Sequence, residues 1–404
     1  MTRSPRACIV RQTDLYELPV QREAEALAAA GFDVEVLCMA KSDRPRRTTI
    51  NGVEVTSLPA ALRREGALGY ACSYGWFLLL AAWTLTLRHL RRPYTVVQVN
   101  TMPDFLVFAA AIPKLLGSRV FLYMHEPTPE LAETLRGPGR MVRVLERIEQ
   151  RALAFADHAF AVTEPLKARY VERGARADRI TVVLNGVDAS NRFGAWKPSP
   201  AERDDRFTVI CHGTIEDRYG QDTLVEAAAL LRERVPELRV VLAGRGSQAD
   251  AVCELIRARG LEDVVRFEGW VTEERLNDLL HSADVGAVTQ KPSPYSHLVH
   301  TNKMVDYWLF GLPVVAGRLR ATAECYGDDV LEYYTAGDAA DLARAIERLS
   351  RAPQRRAELA RNGRLAQERN GWTVQRDAYL APFRALATAR PAIPGGARYE
   401  ASRP

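Results

Sequence analysis

The feature that most constrains the fold is an alternation of short apolar strand segments with helical segments, in two series along the 404 residues. The first series begins with segments 7–10, 17–30 and 32–38, which are typical of strand, helix and strand. The second series begins with strand 207–212 and helix 221–234. Because repeated strand-helix-strand units form parallel sheets covered by helices, the sequence predicts an α/β protein with two doubly wound parallel-sheet domains.

A change in composition marks the domain boundary. Between 185 and 206 the chain is rich in turn-forming and charged residues and has no periodicity. We predict an N-terminal Rossmann-like domain over 1–187, a linker over 188–206, a C-terminal Rossmann-like domain over 207–372, a helix over 373–387 that packs back on the N-terminal domain, and a disordered tail over 388–404. Ligands of such sheets bind at the carboxyl ends of the strands, so we expect a site in the interdomain cleft.

The segment T-N-K-M-V-D-Y-W-L-F-G-L-P-V-V-A at 301–316 predicts a loop, a short helix and a strand. Thr301 or Asn302 can cap the helix, and Gly311 can end it in a left-handed conformation. Lys303 and Asp306 then share one face near the helix start, where a cation could neutralise a diphosphate and a carboxylate could bind ribose hydroxyls. An ordinary capped helix with an exposed Lys/Asp pair is the structural alternative.

Composition excludes several classes of protein. The net charge of +5 comes from arginines spread along the chain, which argues against a nucleic-acid-binding surface. The six cysteines are far apart and include no C-x-x-C pair, so neither a zinc site nor a disulfide framework is indicated. The apolar run near the N-terminus is too short for a signal peptide. We therefore expect a cytoplasmic protein.

One uncharged segment, 67–87, is nominally long enough to span a bilayer. Its glycines and hydroxyl residues favour a helix that does not span. A helix buried in the protein is one interpretation. Arginines flank the segment over 63–92, and the second interpretation is an aromatic-rich helix on an anionic membrane surface, which would place the protein at the inner face of the cell membrane.

Several motifs follow one another along the chain in a specific order: R-E-A-E-A-L-A-A-A-G-F-D-V, H-E-P-T-P-E, A-D-H-A-F-A-V-T, V-V-L-N-G-V-D, H-G-T-I-E-D-R-Y-G, L-A-G-R-G, F-E-G-W-V and N-K-M-V-D-Y-W-L-F-G-L-P-V-V-A. Together they resemble the retaining nucleotide-sugar glycosyltransferases of family 4 (group 1 glycosyltransferases), which have the GT-B fold. The resemblance extends to about Leu386. It implies transfer of a sugar, with a UDP-sugar favoured as donor, to a hydroxyl of a saccharide, a lipid-linked saccharide or a small molecule.

The resemblance also implies donor-binding residues in the C-terminal domain. They are Gly213, Thr214, Arg218, Gly244, Trp270, Val271, Leu298, Val299, His300, Lys303 and Asp306. Asp306 matches the ribose-binding carboxylate of the family. Leu298 stands where the commoner form of the motif has a second glutamate, so only backbone N–H groups of 298–300 are expected to hold the diphosphate there. Thr214 and Tyr219 replace an arginine and a lysine, and Arg218 is the predicted replacement.

In the N-terminal domain, His125 matches the family's cleft histidine near the donor sugar, and it joins Arg218 and Lys303 as a predicted catalytic residue. Glu126, and less strongly Glu130, are predicted on the acceptor side. The loop after the first strand lacks the glycine pair of many relatives, so Asp14 or Tyr16 is expected to contact the acceptor.

No D-x-D stretch or His/Asp cluster with metal-ligand spacing occurs, so we expect no metal and no other cofactor besides the donor co-substrate. The cations would stabilise the departing diphosphate, which would itself take the acceptor proton, with retention of anomeric configuration. Two alternatives remain open: a nucleotide-sugar 2-epimerase, and a catalytically inactive donor-binding or membrane-adaptor protein.

Overall fold

A computed structural model describes residues 4–12, 18–40, 45–60, 66–186 and 205–388. The N-terminal strands are β1 (Arg6–Val10), β2 (Asp33–Met39), β3 (Arg47–Ile50), β4 (Val53–Leu58), β5 (Val96–Asn100), β6 (Arg119–Met124), β7 (His158–Ala161) and β8 (Ile180–Val182). The helices are α1 (Leu18–Ala29), α2 (Gly66–Arg91), α3 (Ala111–Leu115), α4 (Thr128–Arg136), α5 (Arg140–Phe155) and α6 (Glu164–Glu172), with 3₁₀-helices at Asp104–Ala110 and Ala177–Arg179.

The C-terminal strands are β9 (Phe207–His212), β10 (Leu238–Ala243), β11 (Val265–Gly269), β12 (Val285–Val288), β13 (Val314–Gly317) and β14 (Glu332–Tyr334). The helices are α7 (Gln221–Leu231), α8 (Ala249–Ala258), α9 (Glu273–Ser282), α10 (Lys303–Leu309), α11 (Arg320–Cys325), α12 (Ala339–Arg351), α13 (Pro353–Asn370) and α14 (Trp372–Thr388), with a 3₁₀-helix at Asp217–Tyr219.

Two sheets organise the part of the chain that the structure describes. The N-terminal sheet has the strand order β3-β4-β2-β1-β5-β6-β7-β8, and the C-terminal sheet has the order β11-β10-β9-β12-β13-β14. All neighbouring strands are parallel except β3 and β4, which form an antiparallel hairpin at the edge. The centre of each sheet is buried on both faces, as helices on both sides require. This arrangement confirms the predicted α/β class with two doubly wound domains.

The segment between β5 and β6 is not one continuous α-helix, and α2 is a long helix. The chain there forms the 3₁₀-helix Asp104–Ala110 followed by α3. Pro113 has no N–H group to donate to the carbonyl of Ala109, so a continuous α-helix loses a hydrogen bond at this point. Helix α2 spans 26 residues. No helix in the described ranges is both long enough and apolar enough to cross a bilayer.

The two domains share structural elements. Helix α14 lies on the N-terminal domain, where Tyr379 and Phe383 join its hydrophobic core and the Tyr379 hydroxyl donates to Gln98 at 2.8 Å. A loop of the C-terminal domain between β12 and α10 also enters this core through Tyr295 and Leu298. The predicted linker lies mostly, and the predicted tail almost wholly, outside the described residues. Glu126, after β6, accepts a hydrogen bond from Tyr295, after β12, so the carboxyl ends of the two sheets meet, and the region between them is the interdomain cleft.

Candidate active site in the interdomain cleft

Lys303 begins helix α10 and reaches back across the loop after β9. Its Cε lies so close to Gly213 that a Cβ added there would be 2.8 Å away, and its Nζ lies 4.7 Å from the centre of the Tyr219 ring. Burial lowers the pKa of Lys303, the nearby Cys211 opposes this and Arg218 adds to it. A side chain at 213 would have to displace the end of the lysine side chain, and the φ angle of Gly213, 104°, independently favours glycine.

Arg218 is the second cation of this site. Its guanidinium carbon lies 4.7 Å from the centre of the Tyr219 ring, so both cations contact the same ring. Its Nε is buried and has no hydrogen-bond partner. Among the described residues, neither Lys303 nor Arg218 forms an ion pair with a carboxylate. Two unneutralised cations side by side create a potential that favours an anion.

A neighbouring lysine shows the contrast. Lys291 lies on the next loop, and its Nζ is 2.7 Å from Asp217 and 2.7 Å from Asp222. The aspartate beside Arg218 is thus engaged by a different cation. The loop therefore neutralises Lys291, whereas neither Arg218 nor Lys303 has an ion-pair partner among the described residues.

The start of α10 differs from the expected anion-binding helix end. The helix has only seven residues, and the Asn302 side chain makes no capping bond. The N–H of Lys303 donates to the Thr301 hydroxyl at 3.4 Å, and the N–H of Val305 donates to the carbonyl of Asn302 at 3.0 Å. The tight turn before the helix uses these two N–H groups, so neither is free to bind an anion. Positive charge at this site comes from side chains.

Asp306 lies one turn after Lys303 and points to the end of β9. Its carboxylate is 3.6 Å from Nε2 of His212, and both side chains are buried. The backbone N–H of His212 donates to the Tyr307 hydroxyl at 3.3 Å. The exposed Lys/Asp pair of the structural alternative is therefore absent, since Asp306 is buried beside a histidine. His212 was not singled out from the sequence, although it begins the motif H-G-T.

Two glycine-containing loops pack against each other beside Lys303. A Cβ on Gly244 would lie 1.8 Å from the carbonyl oxygen of Gly213, and the φ angle of Gly244 is 153°. The N–H of Ile215 donates to the carbonyl of Arg245 at 3.0 Å. Gly244 thus permits contact between two protein loops. Thr214, in the first of these loops, is exposed, and its carbonyl oxygen accepts a hydrogen bond from the Gln221 side chain.

Trp270 and Val271 follow β11 at the edge of the same surface. The Trp270 side chain is 63% exposed, and the Arg245 guanidinium lies 5.8 Å from its ring centre. This exposure shows that Trp270 is not a core residue. Val271 is partly buried against the helices on one face of the C-terminal sheet.

The segment 298–300 is buried. Leu298 and Val299 are buried in the N-terminal core, and the N–H of Leu298 donates to the carbonyl of Tyr295 at 3.0 Å. The expectation that the Leu298 N–H holds a diphosphate is wrong, because a turn within the loop consumes it. His300 is buried with both ring nitrogens lacking hydrogen-bond partners, and burial lowers its pKa to about 4. It is therefore neutral at physiological pH.

His125 follows β6 and makes its contacts within the N-terminal domain. Its Nε2 is 3.1 Å from the Asn100 amide nitrogen and 3.5 Å from Glu23, and its ring stacks on Tyr123 with centroids 4.2 Å apart. Burial, followed by the charges of Arg11 and Arg22, lowers its pKa well below the usual value. Neutral His125 does not join the Lys303 and Arg218 pair through these contacts.

Glu126, the next residue, reaches the C-terminal domain. Its Oε2 accepts a hydrogen bond of 2.5 Å from the Tyr295 hydroxyl. Glu130 instead lies in the interior of the N-terminal domain, 2.8 Å from Arg173 and near the buried Glu149. The predicted acceptor contact of Glu130 is wrong, since this buried ion network accounts for the residue. Asp14 and Tyr16 lie outside the described residues.

Two protein-family models match this chain. A family model described as "Glycosyl transferase 4-like domain" matches residues 18–186, and one described as "Glycosyl transferases group 1" matches residues 206–352. The chain belongs to the group 1 glycosyltransferases of family 4. Each model covers one of the two parallel-sheet domains, so both halves of this glycosyltransferase chain are accounted for. The family and GT-B fold predicted from the sequence are confirmed.

Relatives of this family 4 chain include D-inositol 3-phosphate glycosyltransferase 2 of Catenulispora acidiphila, 30% identical over 56% of this chain and 55% of that protein. The chain thus spans about half the length of that relative. Glycogen synthase of Mycobacterium tuberculosis is 26% identical over 93% of both proteins. Among solved structures, Anabaena HepE in complex with UDP has a similar fold, with a TM-score of 0.70 at 18% identity, over 94% of this chain and 100% of that one.

Proposed function

We propose that this protein transfers a sugar from a nucleoside-diphosphate sugar to a hydroxyl of a saccharide, a lipid-linked saccharide or a small-molecule acceptor. The observation that carries the proposal is the pair Lys303 and Arg218, two cations at the carboxyl end of a parallel sheet without a carboxylate partner among the described residues. A diphosphate would supply the missing negative charge. HepE binds UDP, which makes UDP-sugars the first donors to test.

The proposed mechanism follows the charge that develops during transfer. As the bond between the anomeric carbon and the β-phosphate oxygen breaks, negative charge grows on the departing diphosphate, and Lys303 and Arg218 stabilise it. Asp306 accepts hydrogen bonds from the ribose hydroxyls. The acceptor oxygen forms its bond on the same face, and its proton passes to the departing phosphate, so the anomeric configuration is retained. The two cations take the part that a divalent metal plays elsewhere.

The test is incubation of the purified chain with UDP-, GDP- and dTDP-sugars in excess chelator. We expect slow hydrolysis of one donor, with the released sugar first appearing in the anomeric configuration of the donor. Turnover that appears only after a divalent metal is restored would contradict metal independence. A donor returned with inverted configuration at carbon 2 would identify an epimerase. Binding without any turnover would identify a donor-binding adaptor.

We also propose that the N-terminal domain contacts an anionic membrane surface. Helix α2 exposes Trp76, Leu79 and Trp83 along one stripe, and Leu115 of the adjoining α3 is exposed beside it. Large exposed apolar areas of this kind mark interaction surfaces. The stripe combines aromatic and aliphatic side chains, as an interfacial helix requires.

The positive charge for such a surface comes mainly from α5. Two flanking arginines are already engaged, Arg88 with buried Glu35 at 3.0 Å and Arg92 with Asp33. Arg63 and Arg64 lie outside the described residues. Helix α5 packs on the same 3₁₀-helix as α2 and exposes four arginines that form no ion pair with any described residue: Arg140, Arg143, Arg147 and Arg151.

Replacement of Trp83 by alanine should weaken binding to vesicles containing phosphatidylglycerol by about tenfold, because an indole is lost from the interface. Cosedimentation measures this. Trp83 is 66% exposed and Trp270 is 63% exposed, so Trp270→Ala in the other domain is the matched control and should leave vesicle binding unchanged. Equal effects of the two substitutions, or equal binding to neutral phosphatidylcholine vesicles, would contradict the proposed surface.

A further inference from the structure

Consecutive residues after β6 point in opposite directions, as expected at the end of a strand. His125 turns into the N-terminal domain and bonds to Asn100. Glu126 turns into the cleft, where the Tyr295 hydroxyl from the C-terminal domain donates to its Oε2 at 2.5 Å. The carboxylate therefore joins the two domains at the point where both sheets end.

The surroundings of Glu126 are those of a ligand-binding carboxylate. Its pKa is raised by burial, against the lowering effects of the Tyr295 hydroxyl, Arg218 and Arg11. Arg218 is therefore near enough to act on the carboxylate electrostatically, yet the two groups form no ion pair. Glu126 keeps partial exposure while Tyr295 occupies Oε2. Its other oxygen can accept hydrogen bonds from a ligand.

The position of Arg218 indicates which part of a ligand this carboxylate meets. If Lys303 and Arg218 bind the diphosphate, the group attached directly to the β-phosphate is the sugar to be transferred. Glu126 belongs to the N-terminal domain and acts on Arg218, whereas Lys303 belongs to the C-terminal domain, so a sugar attached to a diphosphate held by the two cations would come next to Glu126. Sugar hydroxyls are donors, and a carboxylate is an acceptor-only group that forms strong, directional hydrogen bonds with them.

We propose that Glu126 binds a hydroxyl of the donor sugar and so determines donor specificity, and that Tyr295 is the positioning residue that holds its carboxylate in place. This rests on the proposed function of the cleft as a nucleotide-sugar site. It replaces the acceptor-side role predicted for Glu126 from the sequence. The nucleoside diphosphate alone lacks the sugar, so its affinity should not depend on Glu126.

The test compares the affinities of UDP and UDP-glucose, or of the diphosphate and donor that the panel identifies, by isothermal titration. Glu126→Gln should lower the affinity for the sugar nucleotide roughly tenfold or more, since a hydrogen bond to a charged group is lost. The affinity for UDP should change less than about twofold. Glu216→Gln is the matched control. Glu216 also lies near Arg218 but accepts from Ser247, so its substitution should shift both ligands equally.

A deoxy-sugar series sharpens the result. For the one deoxy-donor that lacks the hydroxyl bound by Glu126, the Glu126→Gln effect should disappear, whereas it should persist for the other deoxy-donors. Tyr295→Phe keeps the buried ring and removes only the hydroxyl, so it should reproduce part of the loss for the sugar nucleotide and leave UDP unchanged. Thermal unfolding of each variant checks that it is folded.

The outcomes separate this inference from the proposed function. If Glu126→Gln lowers the affinities for UDP and UDP-glucose equally, the contact between Glu126 and Tyr295 only holds the domains together. That result would overturn the specificity role. An unchanged affinity for both would also overturn it. If the unmodified protein binds neither UDP nor any sugar nucleotide, the nucleotide-sugar function itself fails, and the role of Glu126 fails with it.

Discussion

Replacement of Lys303 by alanine should lower turnover of the nucleotide-sugar donor on the order of 100-fold, as expected for loss of one charge-stabilising group at the departing phosphate. Lys303 is partly buried over Gly213 and Tyr219 and has no carboxylate partner among the described residues. No described carboxylate of the protein therefore neutralises its positive charge. Initial rates at saturating donor measure the effect.

Lys291→Ala is the control for that substitution. Lys291 lies on the adjoining loop, but its ammonium group is held by Asp217 and Asp222. Its removal takes away the same charge from nearly the same region and should change turnover far less, with any loss appearing first in thermal stability. A Lys303→Ala enzyme with the original rate, or equal losses from both substitutions, would refute the assignment of Lys303.

Replacement of Gly244 by alanine should nearly abolish donor binding and destabilise the protein by about 3 kcal/mol or more. The added Cβ would lie 1.8 Å from the carbonyl oxygen of Gly213, and backbone on both sides leaves no room to relax. The loop that carries Gly213 would move, and Lys303 packs directly on that loop. Chemical denaturation and UDP titration measure the two effects.

Gly260→Ala separates this clash from backbone strain. Gly260 also has a positive φ angle, 60°, but nothing lies within 4 Å of an added Cβ. Its substitution should cost about 1 kcal/mol and leave UDP affinity unchanged. If Gly244→Ala behaves like Gly260→Ala, the close contact between the two loops does not exist in solution.

Features that depend on local periodicity and turn chemistry could be predicted from the sequence. Gly311 ends α10 with a φ angle of 72°, as its place before Leu312 and Pro313 indicated. The alternation of strands and helices gave the correct architecture for both domains. The hairpin β3–β4 was not among the predicted elements. Asn51 and Gly52, both with positive φ, form its turn, and this dipeptide is a signal that the sequence contains.

Features that depend on packing between distant segments could not be predicted. Leu298 is buried in the core of the other domain, and no local pattern around it indicates that partner. Tyr295 and Glu126 are 169 residues apart, and His212 meets Asp306 only through the folded sheet. The motif around Lys303 predicted the candidate site from local sequence alone. The neighbours that complete the site come from four separate loops.

Calorimetric titration of UDP and of uridine into the unmodified protein and into Lys303→Ala tests the central claim most directly. If Lys303 and Arg218 hold the diphosphate, the unmodified protein should bind UDP on the order of 100-fold more tightly than uridine. That difference should shrink substantially in Lys303→Ala while uridine affinity stays the same. Equal affinities for UDP and uridine, or a difference that survives the substitution, would contradict a diphosphate site built on these cations.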